Sequence, residues 1–184
     1  MAVIGALGVR TDPLLNYNFM ISLLDTSSSL ALAKSIAMSA ITDIALGGFN
    51  ECSGLEMSLD IEEIEEGGRN GASLKFPTRV KWSNIILKTG VGAGTALWDW
   101  HYGFSEGKGK RMDGIIMLQN ELHIPNNIWY FHRGLPVKYS APTMNAKESA
   151  VAIESIEISH EGIYQVPYVG LGAAAATAAI NLAI

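Results

Sequence analysis

The fold is decided by residues 47 to 71, which read GGFNECSGLEMSLDIEEIEEGGRNG. Polar and apolar side chains alternate strictly from Glu56 to Glu62, which is the pattern of a strand with one wet face. Glycines precede and follow this strand, and glycine permits the backbone angles that tight turns require. The segment therefore predicts a turn, a half-buried strand with an acidic face, and a second turn.

Two shifts in alternation predict β-bulges. The pattern slips at Glu62–Glu63, so that Ile64 falls on the polar side. In the last predicted strand, Val151–Ser159, the apolar residues change parity near Glu154–Ser155. A one-residue slip exchanges the faces of a strand, and one extra residue in one strand accounts for it.

The rest of the chain predicts an all-β fold with one helix. The extended segments are Leu15–Leu23, Leu74–Pro77, Arg79–Leu87, Ile115–Leu122, Ile128–His132 and Val151–Ser159. Thr95 is a suitable N-cap for a helix that ends at Gly107, with Leu97, Trp100, His101 and Phe104 on its buried face. About seven strands are expected, as a closed β-barrel or a β-sandwich of two packed antiparallel sheets flanked by the short helix.

Composition limits the classes of function. Apolar residues make up 48% of the 184 and charged residues only 17%, so either the core is unusually rich or apolar surface is buried between subunits. A net charge of −5 argues against a protein that coats nucleic acid. The start, MAVIGALGVR, lacks the features of a secretion signal.

No pattern of catalytic or ligand-binding residues is present. The four histidines form no HExxH motif or close ligand pair, and the single cysteine, Cys52, is interpreted as a small apolar space-filler. Gly90–Gly94 precedes a helix, but its spacing does not fit a dinucleotide-binding loop. We predict no catalytic residue, no metal site and no cofactor.

Several motifs together resemble one family. They are the turn Phe49-x-Glu51-x-x-Gly54-Leu55, the strand end EEGGRN at Glu65–Asn70, the entry Arg10-x-Asp12-Pro13, the segments Leu87–Gly90, Leu97–Trp100 and Gly134–Tyr139, and the run VAIESIEISHEGI at Val151–Ile163. In this order they resemble the tail tube proteins of contractile-tailed phages and the inner tube proteins of contractile injection systems. The resemblance covers roughly Arg10 to Val166, excluding Asp25–Leu46.

The resemblance implies a structural protein rather than an enzyme. Such a protomer forms homohexameric rings that stack into a hollow tube inside a contractile sheath, with a baseplate hub and a terminal cap as further partners and DNA or a protein effector as cargo. It implies assembly in the bacterial cytoplasm, as part of a phage virion tail or of an extracellular or cell-anchored particle. The alternative is a discrete secreted hexameric ring that carries effectors, as in type VI secretion.

Two sets of residues are the candidate sites. The acidic face Glu56, Ser58, Asp60 and Glu62 suits a lumen, because negative charge repels phosphate chains. The loops Gly47–Leu55 and Glu66–Ala72 are the candidates for stacking between rings and subunits. Their members are Gly47, Gly48, Phe49, Gly54, Leu55, Gly67, Gly68 and Asn70, and the off-face helix residues Trp98 and Tyr102 are expected to reach a neighbour.

Three segments stay open. The insertion at 25–46 is either a helix packed on the domain or an arm that contacts a neighbouring subunit, and the turn Lys108–Arg111 is either solvated or meets an acidic patch on a partner. We predict a tail-tube domain at 1–168 and an apolar, Ala-rich tail at 169–184. As a helix, Val169–Ile184 would span only ~24 Å of a ~30 Å bilayer core, so we predict no stable membrane insertion. The apolar tail is expected to be covered by another subunit, to pack on its own domain or to be disordered.

Overall fold

A computed structural model of the chain describes residues 15–25, 48–65, 67, 71–92, 94–121, 123, 125–147 and 149–167. These residues form nine strands and one helix. In chain order the elements are β1 (Phe19–Leu24), β2 (Phe49–Ser53), β3 (Met57–Ile64), β4 (Leu74–Trp82), β5 (Ile85–Gly90), α1 (Ala96–Ser105), β6 (Met112–Gln119), β7 (Pro125–Ser140), β8 (Ile153–Ser159) and β9 (Gly162–Pro167). The predicted fold class, all-β with one short helix, is confirmed.

Seven strands share one antiparallel hydrogen-bonded system that is organised by β7. The order is β1-β6-β7-β8-β5-β2, and β9 also pairs with β7. The first part of β7 pairs with β6 and β9, and its last part, from Leu135 to Ser140, pairs with β8. One sixteen-residue strand therefore belongs to both halves of the fold.

A buried aspartate holds the corner at which β7 changes partners. Asp113 of β6 faces two residues of β7, His132 and Arg133, and Arg133 has a φ of 51°. The Arg133 backbone N–H donates to Asp113 Oδ1 at 2.8 Å. Asp113 Oδ2 accepts the Tyr130 hydroxyl and lies 3.2 Å from His132 Nδ1. At this bulge the Asp113 side chain thus takes the place of a strand partner for the Arg133 N–H, and it also satisfies the neighbouring side-chain donors.

The strands joined to the first part of β7 and those joined to its last part both contribute to one hydrophobic core. Phe131 lies at its centre, and the remaining members are Ile21, Ile85, Leu87, Leu97, Trp100, Ile116, Ile156 and Ile158. A Cβ at Gly114 would lie 2.2 Å from the Phe131 ring, and one at Gly134 would lie 2.7 Å from it. Only glycine leaves room for this ring, which explains two glycines inside strands.

The helix lies where the sequence predicts it, but Thr95 does not cap it with its side chain, because the Thr95 hydroxyl donates to Asp99 Oδ2 at 2.7 Å instead. The helix spans Ala96–Ser105, buries Leu97 and Trp100, and is followed by Gly107 at a φ of +73°. Trp100 Nε1 donates to the Lys110 carbonyl at 2.8 Å, which ties the helix to the turn before β6. The helix therefore covers one side of the core while its opposite side faces outward.

The structure corrects two strand predictions. Residues 15–18 precede β1, which begins at Phe19 rather than Leu15. The bulge predicted near Glu154–Ser155 is wrong, because β8 pairs with β5 in unbroken register and the shift against β7 lies at Val137. Glu154 occupies an inward position with Ile156, and its carboxylate accepts the Tyr139 hydroxyl at 2.6 Å. The apolar residues do lie on different faces, because Ile153 is exposed whereas Ile156 and Ile158 are buried, but no bulge is needed. A satisfied carboxylate takes the inward place before Ile156.

Some predictions fall on other parts of the chain. The insertion from 26 to 46, the tail from 169 to 184, and the residues Gly47, Gly68 and Asn70 lie outside the described residues. No helix within the described ranges has the length and apolar composition needed to cross a bilayer.

Candidate assembly surface

The stretch that decides the fold contains β2 and β3, and β3 pairs with β4 in a two-stranded unit that we call the hairpin. Its strands pair with each other, with Met57 opposite Trp82, Leu59 opposite Val80 and Ile61 opposite Pro77. Neither strand joins the seven-stranded system. Every residue of β3 except Asp60, which is half-buried, is exposed. Among the described residues, the hairpin meets the body of the molecule at its base, where Trp82 of β4 lies beside His160.

One face of the hairpin is apolar and uncovered. Met57, Leu59, Ile61 and Val80 share this face by register, and between 46% and 66% of each residue is exposed. Within the described part of the chain, the apolar side of β3 is exposed rather than half-buried as predicted, because none of these residues covers it. A row of aligned apolar residues in water is characteristic of an interaction surface.

The other face carries Ser58, Asp60 and Glu62, as the alternation predicts. Lys81 of β4 reaches Asp60 with a 2.8 Å contact between Nζ and Oδ2. The face is therefore mixed in charge rather than uniformly acidic. Glu56 lies just before β3, where its backbone carbonyl accepts the Ser83 N–H at 3.3 Å.

The bulge in the hairpin lies two residues away from its predicted place and on the partner strand. Asp60 faces both Thr78 and Arg79, so the extra residue belongs to β4. Thr78 donates its hydroxyl to the Asp60 carbonyl at 3.0 Å, and Pro77 has no N–H to give to the ladder. Strand β3 itself stays regular, so Ile64 lies on the polar face.

The outer end of the hairpin is fastened by an ion pair. Lys75 lies directly opposite Glu63, with 3.0 Å between Nζ and Oε1, and Ser73 donates to Glu63 at 3.2 Å. The hydrogen bond from Lys75 lowers the pKa of the Glu63 carboxyl, and the positive charge of Lys75 contributes a smaller effect in the same direction. On the polar face near this end, Ile64 and Phe76 are exposed. The sequence pattern of β3 indicates Ile64 on this side, but not Phe76 of β4, so the extent of this second apolar area was not predicted.

The predicted stacking residues lie in different surroundings. Phe49 and Leu55 are half-buried against the core. Gly48 has a φ of +71°, and its carbonyl accepts the Thr89 hydroxyl at 2.8 Å. Gly67 is exposed, and a Cβ placed there would touch nothing within 4 Å. The structure leaves open space only at some of these positions.

An aromatic cluster on the helix is the second exposed surface. The Trp98 and Tyr102 rings stack with their centres 5.7 Å apart, and Trp98 meets the edge of Tyr139 at 5.2 Å. The hydrogen bond to Glu154 raises the pKa of Tyr139 to about 12, and burial adds to this effect. Sequence reasoning identified Trp98 and Tyr102 but missed Tyr139, whose partner Glu154 lies fifteen residues away.

The titratable groups that the sequence singled out have partners or are buried. Burial raises the pKa of the Cys52 thiol to about 11. In the basic turn, Lys110 lies 3.3 Å from Asp25 and Arg111 lies 2.7 Å from Glu161. Within the described ranges, no three His, Cys, Asp or Glu side chains are arranged to hold a metal ion.

Comparison with known proteins identifies one matching sequence family and several solved structures of similar fold. Residues 16–164 match the sequence model of the T4-like virus tail tube protein gp19 family. No curated protein matches the chain. A chain from the anti-feeding prophage baseplate has a TM-score of 0.70 at 20% identity, over 86% of this chain and 98% of that one.

Two further solved structures are similar over nearly the whole chain. One is from the sheath–tube complex of the extracellular contractile injection system PVC in its extended state, with a TM-score of 0.69 and 22% identity over 91% of this chain and 100% of that one. The other is from the tube-terminating cap of the anti-feeding prophage, with a TM-score of 0.69 and 21% identity over the same shares. At these identities the likeness shows a common fold.

Proposed function

Because this chain belongs to the T4-like virus tail tube protein gp19 family, we propose that it is the protomer of a hollow tube. Six copies form a ring, and rings stack into a conduit for DNA or a protein effector inside a contractile sheath. The tube ends at a baseplate hub and at a terminal cap, and sheath contraction drives it forward. The particle is a phage tail or a contractile injection device that is assembled in the bacterial cytoplasm.

The observation that supports this assembly is the uncovered apolar face of the hairpin. Met57, Leu59, Ile61 and Val80 would be stabilised by transfer out of water, at about 25 cal/mol for each Å² of apolar surface. A strand pair with free backbone groups along its edges also pairs readily with another strand. A second copy of the chain satisfies both needs, since its own hairpin supplies the same edges and the same apolar face.

The two faces of the hairpin then separate two environments. The apolar face packs against neighbouring copies, and the face with Ser58, Asp60 and Glu62 lines the lumen. Lys81 neutralises Asp60, so the lumen wall is hydrated and weakly charged rather than strongly acidic. A wall of this kind neither binds nor strongly repels a passing chain, which suits either cargo.

The tube role requires positioned surfaces rather than catalytic residues. Gly48 and Gly67 lie in the loops that meet the next ring, together with Gly47, Gly68 and Asn70. Trp98 and Tyr102 lie on a different surface and contact an adjacent partner. No step of this function forms or breaks a covalent bond.

The first test is the assembly state of the purified chain. Negative-stain electron microscopy with light-scattering mass should show stacked hexameric rings. Single hexamers that never stack would replace this proposal with the discrete ring that carries effectors. A monomer at every concentration would exclude both.

Point variants test whether the hairpin face drives assembly. Leu59→Lys places a charge in the middle of the apolar face and should abolish rings while the melting temperature of the protomer stays nearly unchanged. Val91→Lys is the matched control, because Val91 is equally exposed but lies outside the hairpin. Equal ring yield from both variants would refute the role of this face.

Cysteine labelling tests the lumen assignment on two adjacent positions. Ser58→Cys and Leu59→Cys point to opposite faces of one strand. In assembled tubes, Leu59→Cys should be protected from maleimides, whereas Ser58→Cys should react with a small maleimide but not with a large polyethylene-glycol maleimide. Reaction of Ser58→Cys with the large reagent would place this face outside the lumen.

A further inference from the structure

The base of the hairpin contains a group of contacts that the tube role does not by itself explain. The chain enters the hairpin after Gly54 and leaves it through Ser83 and Asn84. Gly54 has a φ of +87°, and a Cβ there would lie 1.9 Å from the Asn84 carbonyl oxygen. The entering and leaving backbones are therefore packed at a distance that only glycine permits.

Two side chains of the body fasten the leaving segment. His160 Nε2 donates to the Ser83 carbonyl at 3.0 Å. Asn84 Nδ2 donates to Glu157 Oε1 at 2.7 Å. His160 is itself fixed between the rings of Trp82 and Phe131, whose centres lie 6.1 and 6.2 Å from its own. The contact with Phe131 connects this group directly to the centre of the core.

We propose that Gly54, Ser83, Asn84, Glu157 and His160 form a clamp that fixes the direction in which the hairpin leaves the body. This inference rests on the proposed function, because the direction matters only if the hairpin must meet another copy. Within the described ranges, the hairpin strands pair with each other and with no other strand. Its orientation is therefore set at the base, and these five residues are positioning residues for assembly.

The length of the hairpin shows why a small error at the base matters. Strand β3 has eight residues and extends about 26 Å at ~3.3 Å per residue. A rotation of about 10° at the base moves the outer end by about 4.5 Å, which is close to the ~4.8 Å spacing of paired strands. A loosened clamp would thus place the hairpin one strand out of position against its partner.

Glycine variants of the full chain test the clamp. Gly54→Ala pushes the two backbones apart and should raise the protein concentration needed for assembly at least about tenfold. Gly90→Ala is the matched control, because Gly90 lies outside the hairpin and the predicted stacking loops, and a Cβ there would lie 3.9 Å from Val151, an ordinary contact. Assembly of Gly54→Ala at the native concentration would overturn the proposal.

A milder variant covers the case in which Gly54→Ala does not fold. Glu157→Ala removes the acceptor for Asn84 and should raise the assembly concentration about two- to threefold, since the hydrogen bond is exposed. Glu157→Gln keeps an oxygen that can accept the same bond and should restore assembly. Equal behaviour of Ala and Gln at position 157 would contradict the proposed role of this contact.

A distance measurement separates failure of the clamp from failure of the tube. Spin labels at Gly67→Cys and Val151→Cys, in a chain whose half-buried Cys52 is replaced by serine, report the orientation of the hairpin in dissociated protomers. The native clamp should give a narrow distance distribution, and Gly54→Ala should broaden it. If the native chain never assembles, the tube proposal fails while this measurement still decides the clamp; an unchanged distribution overturns the clamp even if tubes form.

Discussion

Replacing Asp113 by alanine should destabilise the protomer more than most single changes in this chain. Asp113 is 2% exposed and accepts hydrogen bonds from the Tyr130 hydroxyl and the Arg133 backbone N–H, with His132 Nδ1 also within 3.2 Å. The Tyr130 hydroxyl loses its strongest partner in a buried site, which costs about 1–3 kcal/mol. Half-buried Arg133 N–H and His132 can recover water, so each adds no more than about 1 kcal/mol. The sum lies between about 1 and 5 kcal/mol, and because all three contacts are made to a carboxylate, we expect a loss of about 3–4 kcal/mol within this range.

Urea unfolding measures this loss directly. For a chain of this length, about 3–4 kcal/mol corresponds to a melting temperature lower by roughly 10 °C. The experiment is best done in the Leu59→Lys background, because assembly adds concentration-dependent stability to the folded state. Tyr130→Phe is the control; it removes one donor and leaves the other two in place, and should cost only about 1 kcal/mol.

The size of the effect decides whether the corner is held by Asp113. A loss below about 1 kcal/mol for Asp113→Ala would show that the bulge is stable without a side-chain acceptor. A change in the denaturant slope, rather than in the midpoint, would show that the variant alters the unfolded state instead. Asp113→Asn should fall between the two variants, because its amide oxygen can still accept the Arg133 N–H.

Three further predictions follow from the titratable groups. Glu154→Gln should lower the pKa of Tyr139 from about 12 toward ~10, as measured by ultraviolet titration at 295 nm, and an unchanged titration would show that Glu154 is not the cause. Cys52, with its pKa raised to about 11 by burial, should react with Ellman's reagent about 100-fold more slowly at pH 8 than after unfolding in urea; equal rates would show an exposed thiol. Burial lowers the pKa of His160, whereas the Ser83 and Gly162 carbonyls oppose that effect, so the folded chain binds fewer protons at this site than the unfolded one. The free energy of unfolding should therefore fall as the pH drops below about 6.5, and His160→Gln should flatten this dependence in urea titrations from pH 7.5 to 5; an identical slope in the variant would contradict it.

Features that depend on neighbours in sequence were predictable. The helix follows from the spacing of Leu97 and Trp100, since residues three apart share a helical face. The same spacing left Trp98 and Tyr102 outside, and both are exposed in the structure. The polar face of β3 likewise follows from strict alternation, which needs no knowledge of the partner strand.

Features that depend on residues distant in sequence could not be predicted. The last strand was predicted to bulge because its apolar residues change parity near Glu154–Ser155. In the structure Ile153 is simply exposed, and a tyrosine on another strand makes the inward Glu154 carboxylate acceptable. In the hairpin, the bulge was assigned to β3 because Ile64 falls on the polar side, but the extra residue belongs to β4, whose alignment with Asp60 the sequence does not show. The alternation of polar and apolar residues indicates that one face of a strand is covered. It does not indicate whether the covering residues belong to the same chain.

Strand β7 shows a third limit. Gly134 and Pro136 divide the segment in sequence, and they predict two pieces rather than one. In the structure both residues lie inside a single strand, Pro125–Ser140. Gly134 is required there because the Phe131 ring occupies the space of a side chain. A residue that usually ends a strand is thus retained for packing.

The continuity of β7 also has a mechanical consequence. A load that pulls β1 and β6 away from β8, β5 and β2 is transmitted through the covalent backbone of β7, since the two groups of strands share it. The ladders on either side of the Asp113 corner are then strained together, and neither can peel away alone. The protomer should yield to axial thrust in one step at a high force rather than by gradual fraying of one half.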